Sequence, residues 1–199
     1  NFSKNKRLGN ALYIESIYKS LRSYKARNIQ YIPIVIDANT SFDFLNMFNF
    51  DLGIVTNVAE EDKNLDTYGS FENLRDFYSA ESSINTLILN VDDPYSLKIL
   101  EKNKSMILIT YGLNDKAAVN ATSIDFGDGI YFNYSLQRSI KTISGKIIEA
   151  FEVPIKLKAL GNYNIYNALA AITCGLYYDI DIDYIRNALN CFNGLYRSL

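Results

Sequence analysis

"INTLILNVDDP" (84–94), followed by "YSLKILEKN" (95–103) and "SMILITYG" (105–112), decides how this chain folds. The first run is apolar without alternation, the pattern of a parallel strand buried on both faces. It stops at Asp92-Asp93-Pro94, because the proline pushes Asp93 out of helical conformation and the acids favour a turn. The middle piece reads as a helix and the last as a second strand. Strand, helix, strand is the unit from which a parallel sheet with flanking helices is built.

The same alternation extends upstream. "YIPIVID" (31–37) and "DLGIVTNV" (51–58) are short, continuous apolar runs. From Ala11, residues Ile14, Ile17, Tyr18 and Leu21 recur at i, i+3, i+4 and i+7, one face of a helix. "SFENLRDFYSAES" (70–82) repeats that spacing through Phe71, Leu74 and Phe77. The expected parallel strands are therefore 32–37, 51–57, 85–91 and 106–111. Downstream the character changes. "AAVNATSIDFGDGIYFNYS" (117–135) and "KTISGKIIEAFEVPIKLKA" (141–159) read as antiparallel hairpins turning at Gly127-Asp128-Gly129 and Ser144-Gly145. Two helices close the chain, with a turn near Asp179–Asp183. The expectation is one α/β domain over 1–199, a mainly parallel sheet flanked by helices with a small antiparallel subsheet. Its parallel part covers 1–112, the hairpins 113–160 and the closing helices 161–199.

Composition narrows the function. Apolar residues make up 48% of the 199 and charged residues 21%, which fits a globular core. The net charge of −2 leaves no basic footprint for nucleic acid. The 16 tyrosines and 11 phenylalanines fall in apolar periodic segments, as core residues do. With 0 histidines, a Ser-His-Asp triad, a Cys-His pair and a histidine-ligated metal are excluded. Cys174 and Cys191 are too few for a disulfide framework or a four-cysteine zinc site, and suit a reducing compartment. "NFSKNKRLGNALY" (1–13) has no apolar leader and no run is long enough to span a bilayer, so a cytoplasmic protein without membrane contact is expected.

Ligands of open parallel sheets collect at the carboxyl ends of the strands. Three polar clusters stand there: Asp37 with Asn39 and Thr40, Thr56-Asn57 with Glu60, Glu61 and Asp62, and Asn90 with Asp92 and Asp93. Such carboxylates suit magnesium, and they equally serve as helix caps and turn formers. A second question comes from "GNYNIYNALAAI" (161–172), where Asn162, Asn164 and Asn167 open a helix. An asparagine at that place caps a helix, and its amide also matches the edge of a nucleobase. The P-loop pattern G-x-x-x-x-G-K-[ST] is absent. In "SKNKRLG" (3–9), Lys4, Lys6 and Arg7 are either phosphate-meeting cations or a solvated chain end.

Taken in order, these pieces resemble the central domain of the Mur ligases, ATP-dependent enzymes that add amino acids to the peptidoglycan precursor. The UDP-N-acetylmuramate–L-alanine ligase branch looks most similar. "DANTSFDFL" (37–45) resembles that branch's "EADESDxSFL", and "TNVAEEDKNLDTYG" (56–69) its "TNIExDHxDxYG". "NVDDP" (90–94) and "TYG" (110–112) match in wording and order. "LGNYNIYNALAAI" (160–172) is similar to "PGRHNxxNALAAI", and "FNGLYRSL" (192–199) to "FxGVxRRF".

The resemblance implies a P-loop-like α/β fold, ATP and magnesium as cofactors, and a particular set of residues. Asn164 and Asn167 would lie against adenine, and Arg197 would reach the phosphates. The magnesium ligands fall on Asp37 and on Lys63. The phosphate loop, GTxGKTT, aligns with residues 3–9, which puts Lys6 and Arg7 at the phosphates. There the glycines are gone and Leu8 stands in place of the metal-binding hydroxyl. Glycines let backbone N–H groups approach phosphate, so their loss closes that approach. The implied chemistry is activation of a carboxylate by ATP and attack by an amine to form an amide. That chemistry rests on positioning and charge neutralisation. The UDP-sugar and amino-acid domains of such a ligase are expected to be absent from this chain. Two expectations follow: a ligase central domain impaired or inactive alone, or a non-catalytic binding or scaffolding module that keeps the fold.

Overall fold

The computed structural model describes residues 16–35, 49–57, 84–94, 96–97, 106–159 and 161–192. Helix α1 occupies 16–26. Strands β1 (Leu52–Val55), β2 (Thr86–Asn90) and β3 (Ile107–Gly112) come next. They are followed by β4 (Val119–Phe126), β5 (Ile130–Leu136), β6 (Ile140–Lys141), β7 (Ile147–Ile148) and β8 (Phe151–Leu157). Helices α2 (Tyr163–Tyr177) and α3 (Ile182–Cys191) close the described chain.

One six-stranded sheet runs in the order β1-β2-β3-β4-β5-β8, and β6 and β7 form a separate two-stranded piece. β1, β2 and β3 pair in parallel, with Val55 opposite Leu89 and Asn90 opposite Tyr111. All five residues of β2 are buried, as a continuous apolar run requires of a central strand. β4 joins β3 in parallel through Tyr111–Val119 and Gly112–Asn120, then pairs antiparallel with β5, which pairs antiparallel with β8. β5 alternates buried and half-buried residues along its whole length. Its Ile130, Phe132, Tyr134 and Leu136 share one core cluster with Ile165, Leu169, Ile172 and Leu176 of α2. Inside it the Tyr134 hydroxyl lies 3.1 Å from Thr173 Oγ1, which donates to the Leu169 carbonyl at 2.7 Å. Both buried hydroxyls are thereby satisfied.

The predicted turns at 127–129 and 144–145 are the β4–β5 and β6–β7 connections. The turn near 179–183 separates α2 from α3, and Asp181 caps α3 by accepting the Asp183 N–H at 2.8 Å. Two expectations change. The expected mainly parallel sheet with a small antiparallel subsheet is present, and what changes is the place of most of the hairpin strands: β4, β5 and β8 prolong the main sheet, because β4 docks on the edge of β3. Only β6–β7 is separate. The second change concerns 31–35, expected as a buried strand, which is irregular and exposed, with Val35 93% accessible. Pro33 has no N–H to give a ladder. The run borders an open pocket shared with Ile17, Leu21 and Tyr24 of α1, and the Tyr31 ring packs 4.8 Å from that of Tyr178 at the end of α2. Residues 36–37, the expected helix at 70–82, and all of the expected helix at 95–103 except 96–97 lie outside the described residues. Among the described residues no helix is long and apolar enough to cross a membrane.

The outer edge of β8 is guarded. Pro154 carries no donor, and its carbonyl accepts from Arg186 Nε of α3 at 3.1 Å. The β4–β5 turn supplies a test of the sheet's packing. A Cβ at Gly129 would sit 2.4 Å from the Leu157 carbonyl oxygen, whereas one at Gly127 would meet nothing within 4 Å. Gly129→Ala is expected to destabilise the fold by about 1–3 kcal/mol through overpacking against backbone. Gly127→Ala should stay within about 0.5 kcal/mol. Chemical denaturation of the two variants checks the difference.

Candidate functional site

The parallel register brings the ends of β1, β2 and β3 to one level, where Thr56, Asn90 and Gly112 finish the strands. Buried Asn90 ties two of them together. Its Nδ2 donates to the Thr56 carbonyl at 2.8 Å, and its Oδ1 accepts the Asp92 N–H at 3.0 Å. Asp92 carries the chain of bonds onward. Its Oδ2 accepts the Leu113 N–H at 2.5 Å and the Tyr166 hydroxyl of α2 at 3.0 Å. The Tyr111 hydroxyl donates to the Val55 carbonyl at 3.4 Å, a second link between strands. Three strand ends and the first turns of α2 are thus joined by one polar network.

Gly112 makes room for it. A Cβ there would fall 2.8 Å from the Asp92 carboxyl carbon and both its oxygens. The neighbouring Asp93 accepts the hydroxyl of Ser96, just past the 91–94 turn, at 2.6 Å, which closes the turn locally. Of the two sequence readings of this cluster, the turn-forming one describes what Asp92 and Asp93 do. Thr56 and Asn57 are exposed, with the Thr56 hydroxyl donating to Asn57 Oδ1 at 3.2 Å. Among the described residues no group of three or more acidic or cysteine side chains is gathered to hold a metal ion.

The asparagines that open α2 part company. Asn162 occupies the cap position with helical backbone angles, φ −56° and ψ −33°, and makes no side-chain cap bond. Asn164 lies inside the helix and is buried, while Asn167 is exposed. The capping expectation therefore does not hold for Asn162, because its own backbone has already entered the helix. Gly161 precedes it at φ +99°, the left-handed region where a side chain is strained. The Tyr163 ring folds over that glycine: a Cβ there would stand 2.7 Å from Tyr163 Cε1. Tyr163 is 66% exposed, and Asn167 follows one turn later on the same helix face. Of the other expected site residues, Lys6, Arg7, Asp37, Lys63 and Arg197 lie outside the described residues, as do Glu60, Glu61 and Asp62.

Sequence reasoning missed Tyr166. Its position between two asparagines carried no signal, since its partner Asp92 is 74 residues away. Burial raises its hydroxyl to a pKa of about 12, and the hydrogen bond to Asp92 and that residue's charge add to the rise. Tyr111 is likewise pushed up, by burial first and then by the charges of Asp93 and Tyr166.

A parallel sheet with a polar network at its strand ends, closed by an Asn-rich helix start, can now be set beside known proteins. The family model of the Mur ligase middle domain matches residues 36–175. The chain belongs to the Mur ligase family. It is 29% identical over 169 residues to the UDP-N-acetylmuramate–L-alanine ligase of Roseobacter denitrificans, covering 82% of this chain and 34% of the relative. A UDP-N-acetylmuramoyl-L-alanyl-D-glutamate–2,6-diaminopimelate ligase of Caldanaerobacter subterraneus is 27% identical over 169 residues, covering 81% of this chain and 31% of the relative. Among solved structures, a ligase of that second name superposes with a TM-score of 0.59 at 16% identity, over 76% of this chain and 30% of its own. This chain spans about a third of the length of these Mur ligases. The match begins at residue 36, so the correspondence between 3–9 and the family's phosphate loop rests on the sequence pattern alone.

The network has two consequences in solution. Gly112→Ala should cost about 1–3 kcal/mol, because Asp92 cannot yield without releasing Leu113 and Tyr166. Tyr166, with a folded pKa of about 12 against 10.0 for a free tyrosine, contributes stability that is complete below pH 10 and lost as the pH rises towards 12. The alkaline fall in melting temperature is expected to be shallower in Tyr166→Phe.

Proposed function

We propose that this chain is the nucleotide-binding middle part of a Mur-ligase-like protein, descended from ATP-dependent carboxylate–amine ligases of peptidoglycan precursor synthesis. In this reading it is impaired or inactive by itself. The observation that carries it is the start of α2, where the exposed amide of Asn167 and the exposed ring of Tyr163 share one face beside the joined strand ends. An amide that both donates and accepts suits the edge of a purine, and a tyrosine face suits its plane. Those residues fit the base of ATP, and buried Asn164 is proposed with them by family resemblance. ATP, when bound, supplies the phosphoryl group that activates a carboxylate toward an amine.

Magnesium is a different matter. Asp92 and Asp93, the acids that the described residues bring to the strand ends, already accept from Leu113, Tyr166 and Ser96. They do not fit a metal that demands free oxygen ligands. Asp37 remains the proposed ligand, and Lys6, Arg7 and Arg197 the proposed phosphate contacts, all by family resemblance. The amino acid added is open, since relatives named for alanine and for diaminopimelate match almost equally well. UDP-sugar and amino-acid binding belong, on this reading, to other domains of the ligase. A cytoplasmic location goes with this reading, supported by the two free cysteines.

A second reading is a pseudoenzyme, a binding or scaffolding module with at most a weak adenine pocket. It is favoured by one observation, the glycine-poor "SKNKRLG" at 3–9. Isothermal titration with ATP–magnesium tests both. Without a glycine loop the dissociation constant should lie in the millimolar range, about −4 kcal/mol. Micromolar, magnesium-dependent binding would overturn the impaired state. Asn167→Ala should weaken that binding while gaining several tenths of a kcal/mol in helix propensity, visible as an unchanged or raised melting temperature. If no nucleotide shifts the parent chain or the variant, the adenine reading fails.

A further inference from the structure

α2 begins without the usual local support. Its cap residue, Asn162, makes no side-chain cap bond, and its first turn has no acidic residue to meet the helix dipole. Such a start has to be held by tertiary contacts. Further along, the helix is pinned to the sheet by the Thr173–Tyr134 hydroxyl pair at 3.1 Å. Apolar packing of Ile165, Leu169, Ile172 and Leu176 holds the helix on the sheet, and directional bonds at two places fix its tilt where apolar contacts alone are non-directional.

The second pin is seven residues earlier, about 10 Å along the axis at 1.5 Å per residue, where the Tyr166 hydroxyl donates to Asp92 at 3.0 Å. Asp92 is a stiff acceptor, held from two other sides. Its carboxylate takes the Leu113 N–H and its own N–H is bound by Asn90. The vacancy left by a side-chain-free Gly112 is the space its carboxylate occupies. The residue after Tyr166 is Asn167.

We propose that Tyr166, through Asp92, is a positioning residue: it sets the tilt of the α2 start against the strand ends and so places Asn167 for the base of a bound nucleotide. This rests on the nucleotide reading above for its ligand, and on the structure alone for its tether. Tyr166 touches no substrate in this scheme. It acts through the helix it holds, and the charge-assisted bond to a carboxylate gives it more grip than a neutral pair would have.

The test uses Tyr166→Phe, which deletes one oxygen, together with Asp92→Asn, which keeps an acceptor, and Asp92→Ala, which does not. Amide hydrogen exchange and ATP–magnesium titration followed by amide shifts are read on each. In Tyr166→Phe, exchange at 163–168 should quicken roughly tenfold, with 171–177 little changed. The dissociation constant for ATP–magnesium should rise by a similar factor. Asp92→Asn should recover part of both effects that Asp92→Ala shows. Adding Asn167→Ala to Tyr166→Phe should weaken binding less than it does in the parent, since the amide is already misplaced. A purely structural role predicts additive losses and a uniform rise in exchange, and either result overturns the proposal. If the parent shows no nucleotide shift at all, the placement of a base is refuted along with the nucleotide reading. The exchange profile then still decides separately whether the tether holds the helix.

Discussion

The structure depends on β2, a five-residue strand with no exposed position. A strand buried throughout can neither end a sheet nor face water, so it needs a hydrogen-bonded neighbour on each side. β1 and β3 supply them in parallel, and parallel pairing sends the chain back between strands through segments long enough to cross over. From that follows the level at which three strand ends stop together. The antiparallel half is a consequence as well. β3 still has a free edge, and β4 takes it, carrying β5 and β8 along in the same sheet.

At that shared level the backbone runs out of ladder partners, and side chains take over. Asn90 and Asp92 each reach to the end of a neighbouring strand, Tyr111 reaches past β2 to β1, and Tyr166 brings the helix into the same set of bonds. Buried polar groups are costly when unpaired and stiff when fully paired. Asn90, Asp92, Tyr111 and Tyr166 are each paired here, which stiffens the end of the sheet. The exposed ring and amide at the start of α2 sit on it. That exposed ring and amide, Tyr163 and Asn167, are separated by a single turn of helix.

Much of this was legible beforehand, for identifiable reasons. The runs at 51–58, 84–94 and 105–112 are apolar without alternation, the pattern of parallel strands, and β2 shows its physical cause, burial at every position. Gly127-Asp128-Gly129 and Ser144-Gly145 marked the two hairpin turns because only a few residues tolerate such tight reversals. The motif set around "NALAAI" pointed to the family that matches residues 36–175. The run at 31–35 misled, because an apolar stretch broken by Pro33 can stay largely at the surface, as this one does, as well as enter a sheet. Composition alone does not tell the two apart.

What the sequence by itself determined is the order of elements, the parallel character of the first strands and the family, all of which are written in local periodicity or short motifs. Tertiary structure alone decided which polar residues are occupied. Asp92 reads as a turn residue or a metal ligand until Leu113 and Tyr166 are seen donating to it from 21 and 74 residues away. Asn164 and Asn167 look alike in the sequence until the helix turns one inward and the other to solvent. The reason is geometric. Periodicity reports which face a residue occupies along its own element, whereas the partner of a side chain depends on how distant elements are brought together.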